Sequence, residues 1–459
     1  MSDIDQVLAS GLCVGCGGCA FAAGGRMTLD AYGFFTPELP AEATKEPLAT
    51  ACPFLAPELD EDALADHFLP ESRQRDQKLG KYDAVFAAHV DEAQFRRDGS
   101  SGGMGSWIAC ELLRRGQIDG VIHARPVARK GAEDPFFRYG ISRSSDEITQ
   151  AAHSHYHVVE ISQVLAEVRR IPGRYLFIGV PCMVKALRRA QLRDPEIAAR
   201  IVFSMGLVCG HLKSVHWALS LGWGAGVHPA EIESITFRVK SENVAAKAYY
   251  FGIRKRGDGG LRVQDSAPLT GGKFNLGAMM PEACNYCDDV TAETADLTIG
   301  DAWLPRYAFD WRGKNMVVSR HPELTALIED AARAGRVTLE PMTAREAADA
   351  QAGGFRQRRE GLQYRLTRRR ARGLWTPEKR DLADMTPPGR LRAWIYDLRA
   401  AVARQSQTAF RRALDHDDLR LYDRAMAGPF KRLRRVELIA AASRIASMRL
   451  RAFVSRRRS

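Results

Sequence analysis

The run CVGCGGC occupies residues 13–19, and a Cys52-Pro53 pair follows it further along the chain. Three cysteines at i, i+3 and i+6 let one tight loop present three thiolates to a single metal centre. Iron–sulfur clusters of the ferredoxin kind use such a run, with a cysteine before proline as a further ligand. The intervening glycines suit this role, because a loop wrapped around a cluster needs positive φ angles and close backbone approach. We therefore predict a [4Fe-4S] cluster on Cys13, Cys16, Cys19 and Cys52.

Two alternatives remain for this run. Zinc sites favour two separated Cys-x-x-Cys pairs over a triple run. A redox-active Cys-x-x-Cys pair, or a cluster of cysteines with no metal, is the other reading.

A second set of cysteines is spread along the chain and comprises Cys182, Cys209, Cys284 and Cys287. Cys182 and Cys209 each follow an apolar stretch that reads as a parallel strand. Ligands in open α/β sheets gather at the carboxyl ends of strands, so we expect these two to converge. Cys284-Asn285-Tyr286-Cys287 would add two more thiolates from one turn. We predict a second [4Fe-4S] cluster here, with zinc as the alternative; the ninth cysteine, Cys110, reads as a buried apolar thiol on a helix.

Strands alternate with helices through the middle of the chain, which predicts an α/β core with a largely parallel sheet. The predicted strands of this core cover residues 82–90, 121–124, 175–180, 201–208, 295–300 and 315–319. The predicted helices cover residues 102–115, 161–169 and 183–190. Between these, residues 235–239, 248–253 and 261–263 read as an antiparallel β insertion. A short strand and turn is predicted at 33–39.

Charge is unevenly distributed along the 459 residues. The net charge is +12, yet the stretch 355–459 alone holds 28 Lys and Arg against 10 Asp and Glu, so the preceding part is acidic. We therefore expect three units. They are a small ferredoxin-like iron–sulfur segment at 1–80, an α/β domain at 81–350, and a basic α-helical tail at 351–459.

Small residues lead into a predicted helix after residue 99. The first-turn amides of such a helix attract a phosphate through free N–H groups and the helix dipole. A nucleoside-triphosphate P-loop is excluded by the lack of Gly-Lys-Ser/Thr. This start predicts a phosphate contact at Ser100, Ser101, Gly102 and Gly103, with a plain turn as the alternative.

Composition is that of an ordinary globular protein, with 45% hydrophobic residues. The N-terminus shows no basic and apolar signal pattern, and no stretch of 18 apolar residues occurs. Nine cysteines in such a chain argue for metal binding over disulfides. We expect a cytoplasmic protein.

Together these motifs resemble the coenzyme F420 hydrogenase/dehydrogenase beta-subunit family of iron–sulfur flavoproteins. The resemblance covers roughly residues 10–350. It is carried, beside the early cysteine run, by the motifs Ser101-Gly102-Gly103, Gly179-Val180-Pro181-Cys182, Cys209-Gly210, Cys284-x-x-Cys287 and Gly300-Asp301-Ala302-Trp303. Where the family commonly has Ser-Lys-Tyr, this chain has Ser154-His155-Tyr156.

The resemblance implies FAD, one or two four-iron clusters and hydride transfer at the flavin. It adds Ser154, Tyr156 and Asp301 to the expected cofactor contacts. It implies an electron-transfer partner such as ferredoxin or a deazaflavin. Longer bacterial relatives of this kind tend to occur alongside polysaccharide-synthesis proteins, so that context is a further expectation.

An FAD- and cluster-containing oxidoreductase is therefore the leading functional hypothesis. The alternative is a structural or regulatory iron–sulfur protein that lacks flavin. The basic tail suggests nucleic acid, but it has few interleaved aromatics and no recognisable module, so we expect none bound.

The tail also carries apolar residues at helical spacing, which predicts one apolar stripe on a basic helix. The stripe comprises Leu391, Trp394, Ile395, Leu398 and Val402, and a weaker one comprises Leu438, Ala442, Ile445 and Met448. Such a helix can lie in a membrane interface, so we expect docking to the inner membrane face or to a partner. The alternative is that the stripes pack on the acidic body.

Overall fold

The computed structural model describes residues 3–246, 248, 250–380 and 387–456, and side chains as far as residue 443. Tyr249 of the predicted strand 248–253, the side chains of Ile445 and Met448, and the closing Arg457-Arg458-Ser459 lie outside what it describes.

Fifteen strands lie in the described residues. They are β1 (Arg26–Leu29), β2 (Phe35–Glu38), β3 (Gln74–Asp76), β4 (Gly80–Tyr82), β5 (Ala84–Val90), β6 (Gly120–Pro126), β7 (Phe137–Ser142), β8 (Tyr175–Gly179), β9 (Ile201–Leu207), β10 (Ile232–Val239), β11 (Tyr250–Lys255), β12 (Leu261–Gln264), β13 (Leu297–Asp301), β14 (Asn315–Ser319) and β15 (Val337–Pro341).

The α-helices of the same residues precede, connect and follow these strands. They are α1 (Asp3–Ala9), α2 (Gly18–Ala23), α3 (Lys45–Ala51), α4 (Glu61–Phe68), α5 (Phe95–Asp98), α6 (Met104–Arg114), α7 (Ser145–Gln150), α8 (Ser162–Arg170), α9 (Pro181–Arg193), α10 (Pro195–Arg200), α11 (Val215–Gly224), α12 (Pro322–Arg333), α13 (Ala344–Ala350), α14 (Ala352–Arg358), α15 (Glu360–Arg370), α16 (Arg390–Asp415) and α17 (Leu419–Arg456).

Eight strands form the central sheet in the order β15-β5-β14-β13-β9-β8-β6-β7. The pairings β13–β9, β9–β8 and β8–β6 are parallel, and the flanking pairings are antiparallel. Strand β5 runs in the same direction as β13, because both pair antiparallel with β14. Five of the eight strands therefore have their carboxyl ends at the same edge of the sheet. This confirms the predicted α/β core with its parallel centre.

The central strands are apolar on both faces because helices cover both sides of a sheet of this kind. Strand β14, with the sequence NMVVS, is buried at every position. The insertion β10-β11-β12 forms a separate antiparallel sheet of three strands, as predicted from the sequence. Helices α9 and α12 each begin with proline in the first turn, where its missing N–H costs nothing.

The N-terminal segment folds as helices α1 to α4 around the β1–β2 hairpin. Its apolar side chains belong to the same cluster of buried residues as the sheet and the C-terminal helices, as Leu12, Phe177 and Phe410 illustrate. The three units therefore share one core. The ferredoxin-like character of residues 1–80 and the boundaries at 80 and 350 stay predictions.

The predicted basic tail is helical, and α16 and α17 pack against each other as a hairpin. On the first apolar stripe Ile395 and Val402 are buried, and Leu391 and Leu398 pack against the main core. Trp394 is 48% exposed. This arrangement agrees with the alternative in which the stripe packs on the body. Within the described residues, no helix is both long and apolar enough to cross a membrane.

Candidate functional site

The first cysteine set comes together around the loop between α1 and α2. Gly17 has φ 86°, and a Cβ there would lie 2.7 Å from the Glu160 carboxylate, so only glycine fits. Cys52 joins the loop from the end of α3. Burial raises the pKa of the Cys16 thiol, and the charges of Cys19, Cys52 and Cys13 raise it further. Helix α3 packs against α2, and a Cβ at Gly18 would lie 3.0 Å from the Ala51 carbonyl, so Cys52 lies beside this loop.

The four cysteines of the second set line one cavity. Cys182 lies in the first turn of α9, just after β8, and Cys209 follows β9. Cys284 and Cys287 come from a 3-10 turn at Glu282–Tyr286. Since β8 and β9 are parallel, their carboxyl ends bring the first two cysteines to one edge of the sheet. The structure thus gathers all four predicted cysteines.

The two sets are adjacent. Val14, Pro53 and Phe54 of the N-terminal segment line the same cavity as the second set. Burial raises the pKa of the Cys182 thiol, and the charges of Cys209, Cys287 and Cys284, and also of Cys16, raise it further. The distance between the two cysteine sets is therefore short.

Two buried basic side chains, those of Lys213 and Arg358, lie near the second set. Lys213 is fully buried, donates from Nζ to the Ala278 carbonyl at 2.7 Å and lies 4.8 Å from the ring centroid of Trp217. Burial lowers the pKa of Lys213 well below its ordinary value, and the charge of Cys284 offsets this only in part. Arg358 is 2% exposed and donates to Cys209 Sγ at 3.7 Å.

These surroundings fit an anionic metal–thiolate group. A buried charge is costly unless it is paired, and among the described residues neither Lys213 nor Arg358 forms an ion pair with a carboxylate. Arg358 instead contacts a cysteine sulfur, and the Glu61 and Asp289 side chains line the same cavity. In the described residues no three His, Cys, Asp or Glu side chains are grouped to hold a single metal ion.

Sequence reasoning missed Lys213 and Arg358, as well as Lys379, which lines the cavity and pairs with Asp288 at 3.0 Å. Arg358 and Lys379 lie in the basic stretch that the charge distribution set apart from the body. No local pattern marks a buried cation, because its partner comes from a distant part of the chain.

The predicted phosphate-binding residues lie at the start of α6, at the same edge of the sheet. The backbone N–H of Ser154 donates to Ser100 Oγ at 2.7 Å, and Lys240 Nζ donates to the Ser101 carbonyl at 2.8 Å. Gly103 has φ 85° and precedes the helix. Asn315 joins this helix start to β13, since Oδ1 accepts from the Met104 N–H at 3.1 Å and Nδ2 donates to the Gly300 carbonyl at 3.2 Å.

Asp301 and Tyr156 are the remaining residues predicted to contact the cofactor. Asp301 ends β13 and is held in a two-pronged ion pair by Arg238, with distances of 2.7 and 3.0 Å. Tyr156 packs in an aromatic cluster, 4.5 Å between ring centroids from Phe274, which also lies beside Lys213. Tyr156 is therefore on the side of the second cysteine set, while Ser154 is on the side of α6.

Fold and site together define a redox protein class with an α/β core and cysteine sets at the carboxyl edge of its sheet. Residues 85–166 match the family model for the amino-terminal part of the coenzyme F420 hydrogenase/dehydrogenase beta subunit, and residues 173–345 match the model for its carboxyl-terminal part. The two matches together span more than half of the chain. The chain belongs to the coenzyme F420 hydrogenase/dehydrogenase beta-subunit family.

Comparison with solved structures shows the same fold. A chain of the F420-reducing [NiFe] hydrogenase complex from Methanosarcina barkeri aligns with a TM-score of 0.50 and 18% sequence identity, over 68% of this chain and 100% of that chain. No curated protein matches. The second cysteine set lies within the matched residues, whereas the first set, Arg358 and Lys379 lie outside them.

Proposed function

We propose that the protein is an iron–sulfur flavoprotein oxidoreductase that passes electrons between two [4Fe-4S] clusters and FAD. Membership of the family supports a redox function in general. The observation that supports two clusters is that all four cysteines of the second set line one cavity, which lies next to the first set. Eight thiols in two adjacent groups supply the ligands of two clusters.

In this proposal Cys13, Cys16, Cys19 and Cys52 hold the first cluster, and Cys182, Cys209, Cys284 and Cys287 hold the second. Bound clusters would supply single electrons, which a flavin converts into the two-electron chemistry of organic substrates. Lys213 and Arg358 would offset the negative charge of the second group. Cys13 is partly exposed, whereas Cys16, Cys19 and Cys52 are buried, so Cys13 marks the side nearest to solvent.

The start of α6 is the proposed phosphate site of FAD. The helix dipole favours an anion there, although the Met104 N–H already donates to Asn315 Oδ1. Ser100, Ser101, Gly102, Gly103 and Ser154 surround it, and Asp301 lies one residue beyond Gly300, which Asn315 ties to the helix. Tyr156 would contact the cofactor from the side of the second cysteine set.

The neighbour in fold belongs to an F420-reducing complex, which supports a proposal about the partner. We propose a deazaflavin or a ferredoxin-type protein as the electron-transfer partner of this chain, and a polysaccharide-related organic molecule as one candidate for its substrate.

Anaerobic purification followed by absorbance and turnover assays tests this function. The account predicts about one FAD per chain, and bleaching of its absorbance when reduced deazaflavin or ferredoxin is added. Clusters without flavin would instead establish the alternative, a structural or regulatory iron–sulfur protein.

A further inference from the structure

The C-terminal extension reaches the second cysteine set through Arg358, the last residue of α14. Arg358 Nη2 donates to the carbonyls of Cys209 and Gly210 at 3.2 and 2.8 Å, and to Cys209 Sγ at 3.7 Å. Its Nη1 donates to the Asp289 carbonyl at 3.2 Å. One guanidinium thus holds both the loop after β9 and the turn that follows Cys287.

Among the described residues Arg358 forms no ion pair with a carboxylate, and its guanidinium donates to Cys209 Sγ. The neighbouring Arg359 differs, since it pairs with Glu293 at 2.9 Å. Arg358 is therefore directed at the thiolate group itself.

We propose that Arg358 is a positioning residue that raises the reduction potential of the cluster held by Cys182, Cys209, Cys284 and Cys287. This inference rests on the proposed function. Adding an electron makes the cluster more negative, and a buried positive charge with an N–H···S hydrogen bond stabilises that reduced state. Hydrogen bonds to the sulfurs and local charge are recognised determinants of cluster potentials.

The position of Arg358 in the sequence also bears on its role. The residue lies beyond residue 345, where the family match ends. The basic tail thus supplies part of the cavity wall, through Arg358 and Lys379, from outside the matched residues.

The test compares Arg358→Gln, Arg358→Lys and Arg359→Gln in the full-length protein. Each is prepared anaerobically, analysed for iron, and titrated potentiometrically with electron paramagnetic resonance detection. Arg358→Gln is expected to shift the midpoint of one cluster to more negative potential and leave the other unchanged. Arg358→Lys should shift it less, because the charge remains, and Arg359→Gln should not shift it.

An unchanged or more positive midpoint in Arg358→Gln would overturn the inference. If Arg358→Gln does not retain its iron, Arg358→Lys decides by the same criterion: a negative shift supports the inference, and no shift overturns it. Iron analysis of the unaltered protein keeps the two proposals apart. About four irons in place of eight would refute the proposed function itself, whereas eight irons with unshifted potentials would refute only the role of Arg358.

Discussion

His123 lies in β6 with 7% of its surface exposed, and its Nε2 shares a hydrogen bond with Ser142 Oγ at 2.8 Å. Burial lowers the pKa of this imidazole to about 4, from an ordinary value of 6.5. His157 behaves alike, with a pKa also lowered by burial to about 4. Both rings are thus neutral in the folded protein.

Because of these histidines, the free energy of unfolding depends on pH in the acid range. The unfolded chain binds more protons than the folded one between pH 6.5 and 4, so their contribution is present above pH 6.5 and is lost as the pH falls towards 4. Between pH 6.5 and 4 the His123→Gln protein should lose about 3 kcal/mol less unfolding free energy than wild type loses. Urea unfolding at several pH values measures it.

His67→Gln is the matched control, because His67 is exposed. Its pH dependence should equal that of wild type. A His123→Gln protein that loses as much stability in acid as wild type would contradict the account of this residue.

The grouping of the cysteines into two sets could be predicted from the sequence, since the spacing of 13–19 and the strand-end positions of Cys182 and Cys209 are local signals. Lys213 and Arg358 could not. Each is recognised only by where it is buried, and that depends on segments far away in the chain: Ala278 for the lysine and Cys209 for the arginine.

At the scale of elements, α6 decides the flavin proposal. On the sequence alone, replacing Gly102 or Gly103 by bulkier residues is the natural test. In the structure a Cβ at Gly102 would lie 2.6 Å from the Ala88 carbonyl, and one at Gly103 would lie 2.6 Å from the Phe95 backbone. Such changes would disturb the fold itself, so a different position is needed.

Ser106, in the first turn of α6, offers a cleaner test. Ser106→Asp places a carboxylate where it favours the helix dipole but repels a phosphate at the helix start. We expect lower FAD occupancy, unchanged iron content and an unfolding free energy equal to or above that of wild type. Ser106→Asn is the neutral control and should keep its FAD. Full FAD in Ser106→Asp would place the phosphates elsewhere.

The α16–α17 hairpin carries a second test. Phe410 is fully buried, with ring centroids 5.5 Å from His216 and 5.4 Å from Tyr422. Phe410→Ala should lower the free energy of unfolding by about 3–5 kcal/mol, as for buried phenylalanines in general. Trp394→Ala, at a half-exposed position of the same helix, should cost far less. Equal small losses, measured by urea denaturation, would mean that the hairpin does not share the core.

The apolar stripe on α16 was visible in the sequence, but its occupant was not. Periodicity shows that one face of a helix is apolar, but it does not show whether protein or membrane covers that face. Strands β7 and β15 escaped prediction for a related reason. Both are edge strands with partly exposed residues, so neither shows a continuous apolar run.

At the scale of the whole molecule, ion pairs between the basic tail and the body offset part of the uneven charge. Arg380 of the basic stretch pairs with Glu293 and Asp288, and Arg411 pairs with Glu133 on the body. The composition predicted the acidic and basic halves, and the fold brings them into contact. The extension is thus part of the wall around the second cysteine set.

The central claim is that eight cysteines hold two four-iron clusters. Iron and acid-labile sulfide in anaerobically prepared protein test it most directly, in wild type, Cys284→Ser and Cys110→Ser. Cys110 is the control because it lies on α6 against Ser145, away from both sets. The account predicts about eight irons and eight sulfides in wild type and Cys110→Ser, and about four of each in Cys284→Ser. Wild-type protein with about four irons and one zinc, or Cys284→Ser with undiminished iron, would contradict it.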